Sequence, residues 1–208
     1  MPVEEPQYPV QLNVAGKPCL VVGGGPVAAR KAAGLVAAGA AVTMVAPDVA
    51  DPPAGVTVER RPYRSGEAAG FRLVITATDD PAVNRQVFLD AEAAGVWVNS
   101  ADDPANCSFT LPAVVRRGPI TVTVATGGHS PALAGWLKTR FEGELGPEYE
   151  VLVRLLAEAR EDLRSRGIAT EGLSWHEALD SGMLDLVRAG RVAEARERLQ
   201  ACLSSSSG

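Results

Sequence analysis

The stretch Cys19-Leu20-Val21-Val22-Gly23-Gly24-Gly25-Pro26-Val27-Ala28-Ala29-Arg30-Lys31 limits what this chain can fold into more than any other. An apolar run breaks into three glycines and then reads as a helix. A buried strand that enters a tight turn and a helix start leaves several backbone N–H groups aimed at one spot, with the positive end of the helix dipole behind them. The spacing Gly23-x-Gly25-x-x-Ala28 matches the dinucleotide fingerprint G-x-G-x-x-G/A. Gly23 serves the turn, Gly25 lets the backbone approach a pyrophosphate, and Ala28 is small enough for helix and strand to pack closely. Pro26 suits a first helical position, where its missing N–H costs nothing. Gly23, Gly24, Gly25, Pro26 and Val27 are therefore the expected cradle of a dinucleotide.

The 208 residues, 46% of them hydrophobic, suffice for a sizeable core in one large domain or two small ones. The net charge of −5 is spread thinly, with 8 basic against 12 acidic side chains in residues 1–113. No segment carries the basic excess that nucleic-acid binding requires. Cys19, Cys107 and Cys202 are an odd number without C-x-x-C spacing, which reads as reduced thiols rather than a disulfide frame or a zinc site. No apolar run reaches membrane-spanning length, and Met1-Pro2-Val3-Glu4-Glu5 lacks the parts of a signal peptide, so a cytoplasmic protein without membrane contact is expected.

Along the chain, Tyr8 to Leu12 are expected to pack on the sheet as a lead-in. The helix from Pro26 to Ala38 puts Val27, Leu35 and Ala38 on one face and ends at Gly39. A second strand, Ala41 to Ala46, completes a βαβ unit and closes at Pro47-Asp48. Asp48 lies near the distance at which an acid meets an adenosine ribose 2′-hydroxyl, although Asp48 and Asp51 among their prolines read equally well as turn formers. Further strands follow over Val56 to Arg60, Phe71 to Thr78 and Val96 to Asn99, with a helix from Pro81 to Ala94 facing inward through Val83, Val87, Phe88 and Ala91. This alternation predicts an α/β fold with a Rossmann-type doubly wound parallel sheet. Ligands of such sheets lie beyond the carboxyl ends of the strands, which adds Ala77 and Thr78 to the cofactor candidates.

The rhythm then changes. Two β-runs flank Arg117-Gly118-Pro119, consistent with an antiparallel hairpin. Thr126-Gly127-Gly128-His129-Ser130-Pro131 follows as a second anion-friendly helix start, with Ser130 at the N-cap. Helical spacing marks Glu148 to Arg166, a capping box stands at Ser174-x-x-Glu177, and a last helix precedes a disordered-looking tail from Ser204 to Gly208. The expected organisation is a dinucleotide-binding domain over 1–112, a small α+β segment over 113–147 and a helical module over 148–208.

Asp102, in the polar run from Asn99 to Ser108, is a carboxylate at a strand end facing the crevice, placed to move a proton beside a hydride transfer. An Asx-turn at Asp102-Asp103-Pro104 explains the same residues without chemistry. His129 suits an acid or base as well as it suits an exposed turn, and His176 reads as a solvated helix residue. Arg116, Arg117, Lys138 and Arg140 are cations able to hold carboxylates, or partners of surface ion pairs. No tyrosine precedes a lysine by four residues, and no metal cage emerges.

Several of these stretches together resemble the precorrin-2 dehydrogenases, which also form the N-terminal part of the multifunctional sirohaem synthases. The matching motifs are Val21-Val22-Gly23-Gly24-Gly25-x-Val27-Ala28-x-Arg30-Lys31, Ala77-Thr78-Asp79-Asp80 with Val83-Asn84, Val98-Asn99-x-x-Asp102 with Pro104, Ser108-Phe109, Pro112-Ala113 and Gly127-Gly128-x-Ser130-Pro131-Ala132. They span about residues 8–145. The resemblance implies oxidation of precorrin-2 to sirohydrochlorin with NAD⁺, and in some members Fe²⁺ insertion, with the acid matching Asp102 assigned to both steps. It also implies a homodimer in which residues 113–147 embrace the partner. Substrate is then expected at Asn99, Ser108, Arg116, Arg117, Thr126, Gly127, Gly128, His129, Ser130 and Lys138, and no residue is assigned to a resident metal. Thr126 stands where a serine is common, the helices after about residue 150 match no motif, and with no methyltransferase domain the middle or late steps of sirohaem synthesis are expected. A redox-sensing NAD-binding module acting through the helical part is the other reading the residues allow.

Overall fold

In the computed structural model, residues 7–205 are described. The expectations for Met1 to Glu5 and for residues 206–208 lie outside them. The chain divides into two compact units. One comprises the chain up to Leu111 with Gly127–His129, the other Pro112–Thr126 with the chain from Ser130 onward.

The first unit is a five-stranded sheet in the order β3-β2-β1-β4-β5, parallel throughout. Its strands are β1 (Pro18–Val22), β2 (Ala41–Ala46), β3 (Thr57–Arg60), β4 (Leu73–Thr76) and β5 (Trp97–Ser100). Helices α1 (Pro26–Ala37) and α2 (Pro81–Ala93) cover its faces. Because both faces are covered, β1 and β4 read as continuous apolar runs rather than alternating ones. Cys19 and Val21 share a cluster with Ala28 and Ala32 of α1, while Leu20, Val22, Val74 and Val98 share another with Val87 and Ala91 of α2.

Two expectations about packing are corrected. The buried residues of α1 are Ala28 and Ala32, with Leu35 and Val36 partly buried, whereas Ala38 is exposed. The alanines are small enough to lie flush against the sheet, and Leu35 and Val36 pack on the same cluster beside them. Tyr8, Val10 and Leu12 are 88%, 61% and 49% exposed, so the lead-in does not pack on the sheet, and burial begins at Val14.

In the second unit, β6 (Ala113–Arg117) and β7 (Ile120–Val124) pair antiparallel. Gly118 at φ +52 and Pro119 form the two-residue connection that a type II′ turn provides. Helix α3 (Pro131–Glu144) packs on this hairpin through Ala134. The remaining helices are α4 (Glu148–Ser165), α5 (Trp175–Ala178), α6 (Leu184–Arg188) and α7 (Val192–Ser205). They gather around Leu152, Leu155, Met183, Leu199 and Leu203. Ser174 sits outside the extended region, at φ −73 and ψ +52, and its side chain does not cap α5, unlike the serine of the predicted capping box. The serine tail begins as helix, since α7 continues to Ser205.

Candidate active site

The strand order reverses between β1 and β4, and the loops leaving their carboxyl ends meet there. The Ala77 N–H donates to the Val22 carbonyl at 2.8 Å. The three glycines differ in what requires them. Gly23 has φ +132, and a Cβ built on it would lie 2.3 Å from the Ala77 carbonyl oxygen. A Cβ on Gly24 would lie 1.8 Å from the Asp48 carbonyl oxygen. These two close the loops on one another. Gly25 is different: its φ is −82, and a Cβ there meets nothing within 4 Å among the described residues. Its missing side chain leaves space open above the start of α1.

That helix start has no side-chain cap and no acidic residue in its first turn. The N–H groups of Val27 and Ala28 lack intrahelical acceptors by helix geometry, and Pro26 has none to satisfy. Open space, unopposed N–H groups and a positive dipole end fit the pyrophosphate of a dinucleotide. Asp48 is exposed just past β2, with its backbone against Gly24.

On the β4 side the loop is pinned by Asn84, a residue the sequence reading quoted but gave no role. Its Oδ1 accepts from the Thr76 hydroxyl and, at 2.8 Å, from the Thr78 hydroxyl, while its Nδ2 donates to the Thr78 carbonyl at 2.9 Å. Asp80 caps α2 by accepting from the Ala82 N–H at 2.8 Å. Thr78 is thus held from both sides. The detectable signal is a polar side chain on the otherwise apolar inward face of α2.

Beyond β5 the chain turns at once. The Asp103 N–H donates to the Ser100 carbonyl at 3.3 Å, and Asp102, at the third position of this turn, has φ +60. Among the described residues it is the one non-glycine with positive φ. Such a position in a turn is usually glycine, and left-handed outliers gather at functional sites. Asp102 is exposed, on a turn past the strand rather than on the strand itself. Lys31 of α1, half-buried, lies near enough to Asp102 and Cys107 for their charges to act on it. Burial and the neighbouring Arg30 push the Lys31 ammonium below the usual lysine range, partly countered by Asp102 and Cys107. Lys31 was not among the expected site residues.

Asn99 and Ser108 each have partners within the fold. Asn99 is buried and donates to the Phe109 carbonyl at 2.9 Å. The Ser108 hydroxyl accepts from the Val98 N–H at 2.8 Å. Together they fasten residues 108–109 along the open edge of β5, which would otherwise present unpaired backbone. The Arg117 guanidinium donates to the carbonyls of Leu145 at 2.6 Å and Glu142 at 3.3 Å, so it closes the end of α3. Lys138 pairs with Glu142 at 3.1 Å, four residues on, and Arg116 is exposed. In the second glycine loop, Gly127 and Gly128 have φ +57 and +79, and the Thr126 hydroxyl donates to the Ser130 carbonyl at 3.1 Å while Ser130 caps α3 through the Leu133 N–H. His129 is exposed.

A family model described as NAD(P)-binding matches residues 10–113, half of the chain. The chain belongs to this NAD(P)-binding family. The glycine cradle and the Asp102 turn both lie within the matched residues. The chain is also 39% identical over 206 residues to a protein of Nitrosococcus oceani named siroheme synthase, covering 95% of this chain and 44% of the relative. A siroheme synthase of Methylococcus capsulatus is 38% identical over 200 residues, covering 92% of this chain and 42% of the relative. The chain thus spans less than half the length of these relatives. The solved structure named SirC, precorrin-2 dehydrogenase, superposes with a TM-score of 0.72 at 27% identity, covering 94% of this chain and 98% of that one.

Proposed function

We propose that this protein is an NAD⁺-dependent dehydrogenase that oxidises precorrin-2 to sirohydrochlorin in sirohaem synthesis. The observation that carries the reading is the placement, at the carboxyl ends of one parallel sheet, of an open dinucleotide cradle at Gly25 and a carboxylate, Asp102, in a left-handed turn. The likeness to SirC over almost the whole of both chains supports the substrate. Bound NAD⁺ supplies the hydride acceptor. Gly23 and Gly24 shape the loop, and Gly25 and the first turn of α1 hold the pyrophosphate. Ala77 and Thr78 bound the crevice on the β4 side. Asp102 takes the ring proton that leaves as the hydride departs.

Asp48 accepts the ribose 2′-hydroxyl and repels a 2′-phosphate, so NAD⁺ binds more tightly than NADP⁺; equal affinities in titration remove that role. Arg116, Lys138 and the loop from Thr126 to Ser130 are the remaining candidates for the substrate's carboxylates, and Fe²⁺ is the second substrate if the chelatase step is kept. The active unit is a homodimer formed through residues 113–147. Leu133 and Trp136, one helical turn apart on α3, are 47% and 56% exposed and supply an apolar face for it. An active monomer in light scattering excludes this.

The deciding experiment is single-turnover NADH formation at saturating precorrin-2 and NAD⁺ with Asp102→Asn. Loss of the proton acceptor lowers the rate by about 10²–10⁴-fold with the fold and NAD⁺ binding intact. A rate above about a tenth of wild type refutes the assignment.

A further inference from the structure

Asp102 occupies a conformation that an isolated aspartate disfavours, so something must hold the turn. The second arm of the turn provides it. Asn106 is buried, 8% exposed, and its Nδ2 donates to the Asp103 carboxylate, while its backbone N–H donates to the Asp103 carbonyl at 3.1 Å. From α2, Arg85 Nη1 donates to Asn106 Oδ1 at 2.5 Å. Arg85 is itself steadied by stacking over the Phe88 ring, 5.1 Å from its centre. A cation on the amide oxygen polarises the amide and strengthens its N–H donation to the carboxylate beyond. The three side chains form a relay from helix to turn that ends one residue from Asp102.

We propose that Asn106, gripped by Arg85 and bonded to Asp103, is a positioning residue that holds Asp102 in its left-handed conformation for proton transfer. This rests on the assignment of Asp102 made above. Neither Asn106 nor Arg85 need touch the reacting atoms; they act through the backbone of the turn.

The test compares Asn106→Leu, Arg85→Met and Arg85→Lys, each alone, and Asn106→Leu combined with Asp102→Asn, in single-turnover NADH formation from precorrin-2. Arg85 is exposed, so its variants fold even if Asn106→Leu does not. Asn106→Leu and Arg85→Met lower the rate by about 10- to 100-fold, the cost of misplacing a catalytic group by about 1 Å. NAD⁺ affinity stays unchanged, and Arg85→Lys, which keeps a cationic donor, restores most of the rate. Asn106→Leu adds nothing in the Asp102→Asn background, because it acts through the group already removed. If Asp102→Asn is slow but Arg85→Met and Asn106→Leu run at the wild-type rate, the relay is overturned and Asp102 stands. If the two defects multiply in the double variant, Asn106 has a merely structural role and the proposal is overturned. An Asp102→Asn protein at wild-type rate instead overturns the assignment of Asp102, and the relay with it.

Discussion

Alanine at Gly25 and alanine at Gly23 should separate binding from folding, although the two positions are two residues apart. At Gly25 the added methyl meets no atom of the described residues within 4 Å, and φ −82 suits any residue. Two small terms oppose each other there. Alanine is a poorer N-cap than glycine by about 0.5–1 kcal/mol, and it reduces unfolded-state entropy by about 0.4–1 kcal/mol. The apoprotein therefore melts close to wild type. The methyl fills the space through which a pyrophosphate reaches the backbone N–H groups, and losing one such charge-assisted bond costs about 1.5–3 kcal/mol. NAD⁺ affinity falls by about 10- to 100-fold. At Gly23 the same methyl would lie 2.3 Å from the Ala77 carbonyl oxygen, at φ +132. The backbone conformation alone costs about 1–3 kcal/mol, and the β4 loop must also shift. A total near 3 kcal/mol lowers the melting temperature by roughly 6–12 °C in a chain of this size. Thermal unfolding of the apoproteins and calorimetric titration with NAD⁺ measure both quantities. Wild-type NAD⁺ affinity in Gly25→Ala, or a wild-type melting temperature in Gly23→Ala, refutes this division of roles.

Two further outcomes follow from polar groups in the same unit. The Ser100 hydroxyl is buried at the end of β5 without a hydrogen-bond partner among the described residues, so Ser100→Ala raises stability by about 1 kcal/mol in urea unfolding; a loss of stability contradicts this. Burial pushes the Asp90 carboxyl up, but donation from the Gly66 N–H, Tyr63 and Gln86 brings it net below the usual carboxylate range. A lowered folded value means that its contribution is fully present above the ordinary carboxylate range and is lost as pH falls through the folded value. Asp90→Asn should therefore flatten the acid limb of the stability curve, while an unchanged limb would place the acid sensitivity elsewhere.

The parallel sheet was legible because its signals are local. Apolar runs at Leu20 to Val22 and Leu73 to Thr76, glycine turns and Pro26 and Pro81 at helix starts each need only a few neighbouring residues to interpret. The hairpin was legible for the same reason, since Gly118-Pro119 states its own turn. On α1 the inward face was legible at Leu35, which packs against the core, but not at Ala28 and Ala32, which are buried although smaller than Val27 and Leu35, nor at Ala38, which is exposed. Which small residues meet the sheet is a property of the assembled layers, and no window along the helix contains it.

The candidate site was legible only in part, for a related reason. A polar residue at a strand end looks the same in sequence whether its bonds go to a ligand or to its own backbone. Asn99, Ser108 and Arg117 were all expected to meet substrate, yet each has a backbone partner within the fold. The first two serve an edge strand whose unpaired groups need covering, and the third serves a helix end whose carbonyls need donors. Asp102 differs from them. It has the residue type that the chemistry requires and a left-handed backbone that the turn calls for but an aspartate does not favour. The residues that maintain it are distant along the chain: Arg85 stands 21 residues before Asn106. Local motifs can thus nominate an acid, but only the fold shows which acid is being held at a cost in backbone conformation. That cost is the physical ground for choosing Asp102 over its neighbour Asp103, whose carboxylate is already engaged by Asn106.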